Sequence, residues 1–156
     1  PYVEKEMVKI SGAIPVDNIS ENLQKMDAVT LHCPKNDETT DLFTKKEFNL
    51  MKKSSFIINC ARGGILNEED LYEALKNENI SGAGLDVFDV EPTPSSNPLF
   101  KLNNVILSPH IAGVTVESTI RMATETVQNV LDVLDDKINQ SVVVNNTEIG
   151  LSLIHI

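Results

Sequence analysis

The chain has 156 residues, 41 % of them hydrophobic and 23 % charged, which suits one globular domain with a full core and leaves little room for two. A formal net charge of −10 argues against nucleic acid and anionic membrane surfaces as partners, because neutralising phosphates takes Lys and Arg patches. No run approaches the roughly 18 apolar residues of a membrane span, Pro1-Tyr2-Val3-Glu4-Lys5 lacks the layout of a signal peptide, and two isolated cysteines, Cys33 and Cys60, read as reduced thiols of a cytoplasmic protein rather than as a metal site.

Val16 to Met26 fits a short amphipathic helix, with Asp17 or Ser20 as N-cap. Asp27 to His32 reads as a strand stopped by Pro34. Thr44 opens a helix through Met51, with Phe48 and Met51 on one side. The strand Phe56 to Asn59 follows, then a tight Gly63-Gly64 turn. Asn67-Glu68-Glu69-Asp70 places acidic residues at the start of a helix, where they complement the macrodipole. That helix runs to about Asn77 with Leu71, Ala74 and Leu75 inward. Ser81 to Val87 reads as a strand whose Gly82 and Gly84 signal close backbone approach. Glu91 to Pro98 is a turn-rich loop, and Val105 to Leu107 a strand. Thr115 to Asp136 reads as a long helix in which Ile120, Ala123, Val127, Val130, Leu131 and Leu134 recur at three- and four-residue spacing. Val142-Val143-Val144 reads as a last short strand. The apolar tail Leu151 to Ile156 fits nothing around it and is assigned no function. Strands alternating with helices predict an α/β fold, a doubly wound parallel sheet with flanking helices.

In such a sheet the ligand crevice lies at the carboxyl ends of the strands. Three chemically useful side chains fall at such ends: Arg62 after Ser55 to Ala61, Glu91 after Gly84 to Val90, and His110 after Asn104 to Pro109. Arg62 is either a fork that grips a carboxylate or a member of a structural salt bridge. His110 is a proton donor and acceptor near neutral pH or a structural histidine, and a carboxylate such as Glu91 beside it would favour the first role. An acid–base pair beside an arginine suits a 2-keto acid, and the hydride must then come from a cofactor. Asp86 either accepts a hydrogen bond from an amide such as nicotinamide or caps a turn. His32 reads as structural. Cys33 and Cys60 read as small strand-end residues near a ligand, with no cue for activation.

Four ordered motifs carry a family resemblance over about residues 1 to 145. His32-Cys33-Pro34 with Thr39-Thr40-Asp41-Leu42-Phe43, Ile58 to Glu69 (with Ala61-Arg62-Gly63-Gly64 at its centre), Gly84 to Pro92, and Ser108 to Thr115 together resemble the signatures of the D-isomer-specific 2-hydroxyacid dehydrogenases, nearest to the D-3-phosphoglycerate dehydrogenases and the hydroxypyruvate/glyoxylate reductases. The resemblance implies NAD-dependent interconversion of a D-2-hydroxy acid and its 2-keto acid. Arg62 would bind the substrate carboxylate, His110 would be the acid–base group and Glu91 its partner. Asp86 would hold the nicotinamide amide. Cys33, Cys60, Ala61, Arg62 and the backbone from His110 through Ala112 to Gly113 would line the NAD site. It also implies a homodimer for the full-length protein. Asn67 stands where the family usually has Asp.

No Gly-x-Gly-x-x-Gly occurs in the chain, since Gly82-x-Gly84 lacks the third glycine and precedes no helix. Residues 1–145 are therefore expected to be the second half of a partial Rossmann-type NAD-binding domain, and 146–156 a tail of other origin. The isolated chain is expected to bind NAD poorly and to turn over little. A dinucleotide-binding corepressor of the same family, recognising peptides, and an inactive fragment are the alternatives.

Overall fold

Four short β-rich runs set the architecture. In the computed structural model, which describes residues 3–143, they form one parallel sheet: β1 (Ala28–Leu31), β2 (Phe56–Asn59), β3 (Gly82–Leu85) and β4 (Val105–Leu107). The spatial order is β1-β2-β3-β4, the order of the chain. Right-handed crossovers taken in a single direction place every connection on one face. The winding is thus one half of a doubly wound Rossmann-type sheet.

The register shows the consequence. Leu31, Asn59, Leu85 and Leu107 stand abreast, as do Val29, Ile57, Ala83 and Val105. This face carries the core, with Ile57 fully buried and Leu85 only 2 % exposed. The connections supply the cover. Thr44 caps α2 (Lys45–Leu50) in a capping box with Glu47, and Asn67 caps α3 (Glu68–Lys76) by accepting from the Asp70 N–H. Phe48 of α2 and Leu71 and Leu75 of α3 enter the same core as Phe43, Ile65 and Leu66. A 3₁₀ turn at Pro98–Lys101 adds Leu99.

The chain divides into two units, Pro1–Ala112 and Gly113–Ile156. The sheet and its helices belong to the first. The second contains α4 (Val116–Leu134), capped by Thr115 and Ser118. Ile120, Ala123, Val127, Val130, Leu131 and Leu134, the residues of its predicted apolar stripe, are all exposed.

Two sequence expectations are corrected. Residues 16–26 hold no α-helix; they make turns and a 3₁₀ turn at Leu23–Lys25. The Asn18 side chain accepts from the Ser20 N–H and donates to Glu21, the local side-chain bonding that competes with a helix. A short helix unforeseen in the sequence, α1 (Lys5–Ile10), precedes them and buries nothing. Val142 closes a 3₁₀ turn, Gln140–Val142, and not a strand. Val144 and the tail lie outside the described residues, as do Pro1 and Tyr2.

Candidate active site

The carboxyl ends of adjacent strands build the site, and a buried polar side chain organises each of two loops. β2 ends at Asn59, which is 1 % exposed. Its amide donates to the Arg62 carbonyl at 2.9 Å and accepts from the Ala61 N–H at 3.0 Å. Cys60-Ala61-Arg62 is thereby folded over the strand end. The Arg62 side chain is exposed, donating to the Ala61 carbonyl at 2.6 Å, and it pairs with no carboxylate among the described residues. The salt-bridge alternative therefore has no partner there, and the guanidinium keeps donors for an anion. Gly63 allows the turn to press against the next loop, since a Cβ there would run into the Phe88 carbonyl.

β3 leads into Asp86 and then the Val87 to Glu91 loop. Glu91 turns back, accepting from the Phe88 N–H at 2.9 Å through one oxygen and meeting His110 Nδ1 at 2.8 Å through the other. The bond to His110, then the bond from Phe88, hold the Glu91 carboxyl below the usual carboxylate range. With Nδ1 engaged by Glu91, Nε2 is the imidazole nitrogen left for other work. Both side chains are partly exposed, so the pair is accessible to a ligand and screened by solvent.

β4 delivers Ser108-Pro109-His110, and His110 takes a positive φ of 55°. Asp86 lies beneath this loop, 2 % exposed. It accepts from Ser108 Oγ at 2.6 Å, from the Ile111 N–H at 2.9 Å and from the Ala112 N–H at 2.9 Å. Burial opposes its ionisation, but those three donors and the nearby imidazole outweigh it and hold its carboxyl below the ordinary range.

One cleft of about 700 Å³ gathers Cys33, Cys60, Ala61, Arg62, Glu91 and His110. These six expected residues come together. Three others stand elsewhere: Asp86 lines no part of this cleft, Ala112 is engaged by Asp86, and Gly113 belongs to the second unit. The cleft also takes in His32, Lys35, Phe88 and Asp89, which sequence reasoning passed over or, for His32, read as structural. His32 is bonded through its ring to Thr30 Oγ1 at 2.8 Å. Lys35 follows the His32-Cys33-Pro34 motif directly, so its place at a strand end was available as a signal. Asp89 is pushed above the usual carboxylate range, first by burial and then by Glu68, whose Oε1 accepts from the Asp89 N–H. Asn59 was inside a quoted motif, yet its bracing role depends on a turn geometry that no spacing rule specifies. A second cleft, of about 680 Å³ and mostly apolar, shares Phe88, Glu91 and His110 with the first. Among the described residues no cluster of three or more potential metal ligands occurs, and no helix is long and apolar enough to cross a membrane.

A parallel sheet wound in strand order, with a loose arginine and a histidine–glutamate pair at its carboxyl edge, has the layout of half a Rossmann-type domain bearing an acid–base site. The family model for the D-isomer-specific 2-hydroxyacid dehydrogenase NAD-binding domain matches residues 1–112. The chain belongs to that family. The D-3-phosphoglycerate dehydrogenase of Methanocaldococcus jannaschii is 41 % identical over 143 residues, covering 92 % of this chain and 27 % of that protein. The glyoxylate reductase of Thermofilum pendens is 45 % identical over 112 residues, covering 72 % and 33 %. In fold the chain is similar to the NAD-complexed D-isomer-specific 2-hydroxyacid dehydrogenase of Lactobacillus delbrueckii ssp. bulgaricus, with a TM-score of 0.78 at 28 % identity over 85 % of this chain and 44 % of that one. The chain thus spans about a quarter to a third of the length of these two curated relatives.

Proposed function

We propose that these residues supply the catalytic half of the NAD-binding domain of a D-2-hydroxyacid dehydrogenase, residues 1–145 contributing to that domain within a longer protein and 146–156 being a tail outside it. The observation that carries this reading is the convergence of Arg62 with the His110–Glu91 pair on one cleft. Arg62 holds the carboxylate of a 2-keto acid in a bidentate grip. His110 gives a proton through Nε2 to the carbonyl oxygen as it becomes an alcohol, and takes it back in the reverse direction. Glu91 fixes the imidazole tautomer through Nδ1 and stabilises the imidazolium.

The cleft floor suits a dinucleotide. Cys33, Cys60 and Ala61, which follow the ends of β1 and β2, line it with short side chains. Cys33, Cys60, Ala61 and the Arg62 and His110 turns would hold the nicotinamide half, and NAD bound there supplies hydride chemistry. The same reading takes the longer protein as a cytoplasmic homodimer acting on a small 2-hydroxy or 2-keto acid, with no nucleic-acid partner. It also accounts for the missing Gly-x-Gly-x-x-Gly. Without a pyrophosphate-binding helix N-terminus, the 156 residues alone are expected to bind NADH weakly. Titration of the isolated chain checks this, and a dissociation constant in the low micromolar range would contradict it.

The deciding test is NADH oxidation by the longer protein against glyoxylate, pyruvate, hydroxypyruvate and phosphohydroxypyruvate. His110→Ala is expected to lose about 10²–10⁴-fold in turnover. Arg62→Ala is expected to raise KM for the keto acid. NADH binding without turnover of any of these acids would sink the dehydrogenase reading and favour a dinucleotide-sensing role.

A further inference from the structure

Resting on the dehydrogenase reading above, we propose that Glu68, at the start of α3, is a positioning residue: its carboxylate ties together the two ends of the Phe88 to Asn97 loop and so sets Glu91 against His110. Oε1 accepts from the Asp89 N–H at the start of the loop. Oε2 accepts from Asn97 Nδ2 at its end, 3.0 Å away. The two bonds reach 21 and 29 residues along the chain, so one side chain fixes the loop to the helix at both ends.

The loop needs that support because it has little of its own. Val90, Glu91, Pro92, Pro94, Ser95 and Ser96 are all exposed. Among the described residues its one internal backbone–backbone bond runs from the Asn97 N–H to the Pro94 carbonyl, at 2.9 Å. Its ends are firm by contrast. Asn97 also accepts from the Leu99 N–H at 3.0 Å, and Leu99 is fully buried. The Phe88 carbonyl is pressed against Gly63, where an added Cβ would run into it. The successive amides of Phe88 and Asp89 donate to Glu91 and to Glu68 respectively. Holding the second therefore orients the first, whose bond turns Glu91 back toward His110. The charge on Glu68 makes both of its bonds stronger than a neutral acceptor would. An acidic residue in the first turn of a helix also complements the macrodipole. Exposed Glu69 meets that need in the same turn without touching the loop.

The tie can be inverted. Glu68→Gln sets an amide donor against the Asn97 amide, whose oxygen is already committed to Leu99. Asn97→Asp sets two carboxylates face to face and keeps the acceptor for Leu99. In the longer protein each is expected to lower kcat about 10-fold, within the scale of a misplaced catalytic group. KM for the keto acid and the NADH dissociation constant are expected to stay within about threefold, because the Arg62 turn is braced separately by Asn59. The double variant Glu68→Gln/Asn97→Asp again sets a donor against an acceptor, and its kcat is expected to return to within about threefold of wild type. Glu69→Gln removes the same charge from the same turn and is expected to leave kcat within about twofold. Hydrogen exchange at the Asp89 amide is expected to speed up about tenfold in Glu68→Ala. No recovery in the double variant, an equal loss in Glu69→Gln, a loss carried by KM or the NADH dissociation constant, or unchanged exchange at Asp89 would each overturn the proposal. If Glu68→Gln does not fold, Asn97→Asp decides: a fall in kcat alone supports the tie and an unchanged kcat refutes it. If the wild-type protein reduces none of the keto acids, the dehydrogenase reading fails, while exchange at the Asp89 amide still reports on the tie.

Discussion

The two faces of the sheet are made of the same strands and differ sharply. On one, Ile57, Ala83, Leu85 and Leu31 are buried beneath the crossover helices. On the other, Phe56 is 48 % and Ile106 80 % exposed. The strands do not read as one-faced. Phe56-Ile57-Ile58 and Val105-Ile106-Leu107 are unbroken apolar runs, the pattern of parallel strands built to be covered on both sides. A winding that goes in one direction covers one side only. The difference therefore measures how much of a doubly wound sheet residues 1–112 supply: one complete layer, a half-site at its carboxyl edge, and a second apolar face prepared for a cover.

The sharpest way to break the comparison is a cavity beneath the covered face. Ile57 is fully buried between β1 and β3, and Ile57→Ala is expected to cost about 2–5 kcal/mol in urea unfolding, with no change in slope. A cost under 1 kcal/mol would mean that this layer is not the core. Asn59 lies on the same face but at the site end. Asn59→Ala strands the Ala61 N–H and the Arg62 carbonyl, with an expected cost of about 1–3 kcal/mol. Because the turn it holds carries Arg62, the same variant in the longer protein is expected to raise KM for the keto acid more than it lowers kcat. An effect on stability alone would separate Asn59 from the site.

The covered layer was legible because its signals are local. Thr44 and Asn67 announce α2 and α3 by capping chemistry, and each strand is a short β-rich run between turn residues. Two segments were not legible: α1 has no buried residue and no side-chain cap, and the turns of 16–26 follow from Asn18 bonding to its neighbours, whereas α4, which also buries nothing, was announced by its Thr115 cap and its three- and four-residue apolar spacing. The site divides in the same way. Arg62, Glu91 and His110 stand out by their positions after apolar runs, and the motifs around them supplied their expected roles. The bonds from Asp86 to Ser108, Ile111 and Ala112 span 22 to 26 residues and depend on a left-handed His110. No spacing in the sequence encodes that turn, so Asp86 read only as a cap or an amide acceptor.

A smaller effect is expected from pH. The Glu91 carboxyl is held below its ordinary range in the folded chain. Its contribution is therefore fully present above the ordinary carboxylate range and is lost as pH falls through the lowered folded value. The stability difference between wild type and Glu91→Gln is expected to close as pH drops below about 5, in unfolding curves taken at successive pH values. Partial exposure of the pair keeps this effect small. A gap that widens on acidification would reverse the assigned sign and dissolve the pair as drawn.

The smallest effect bears most directly on the two faces. Ile106 points away from the core, and Ile106→Ala in the isolated chain is expected to change stability by no more than about 0.5 kcal/mol. In the longer protein, a covered second face would turn the same substitution into a cavity and raise its cost to about 2–5 kcal/mol. Urea unfolding of both proteins compares the two values directly. A large cost in the isolated chain would show that the face is already covered within these 156 residues. A negligible cost in both would show that an unbroken apolar run is here compatible with a solvent-facing side. In that case residues 1–112 would be an open-faced layer in their own right, and the proposed missing half would need a different point of attachment.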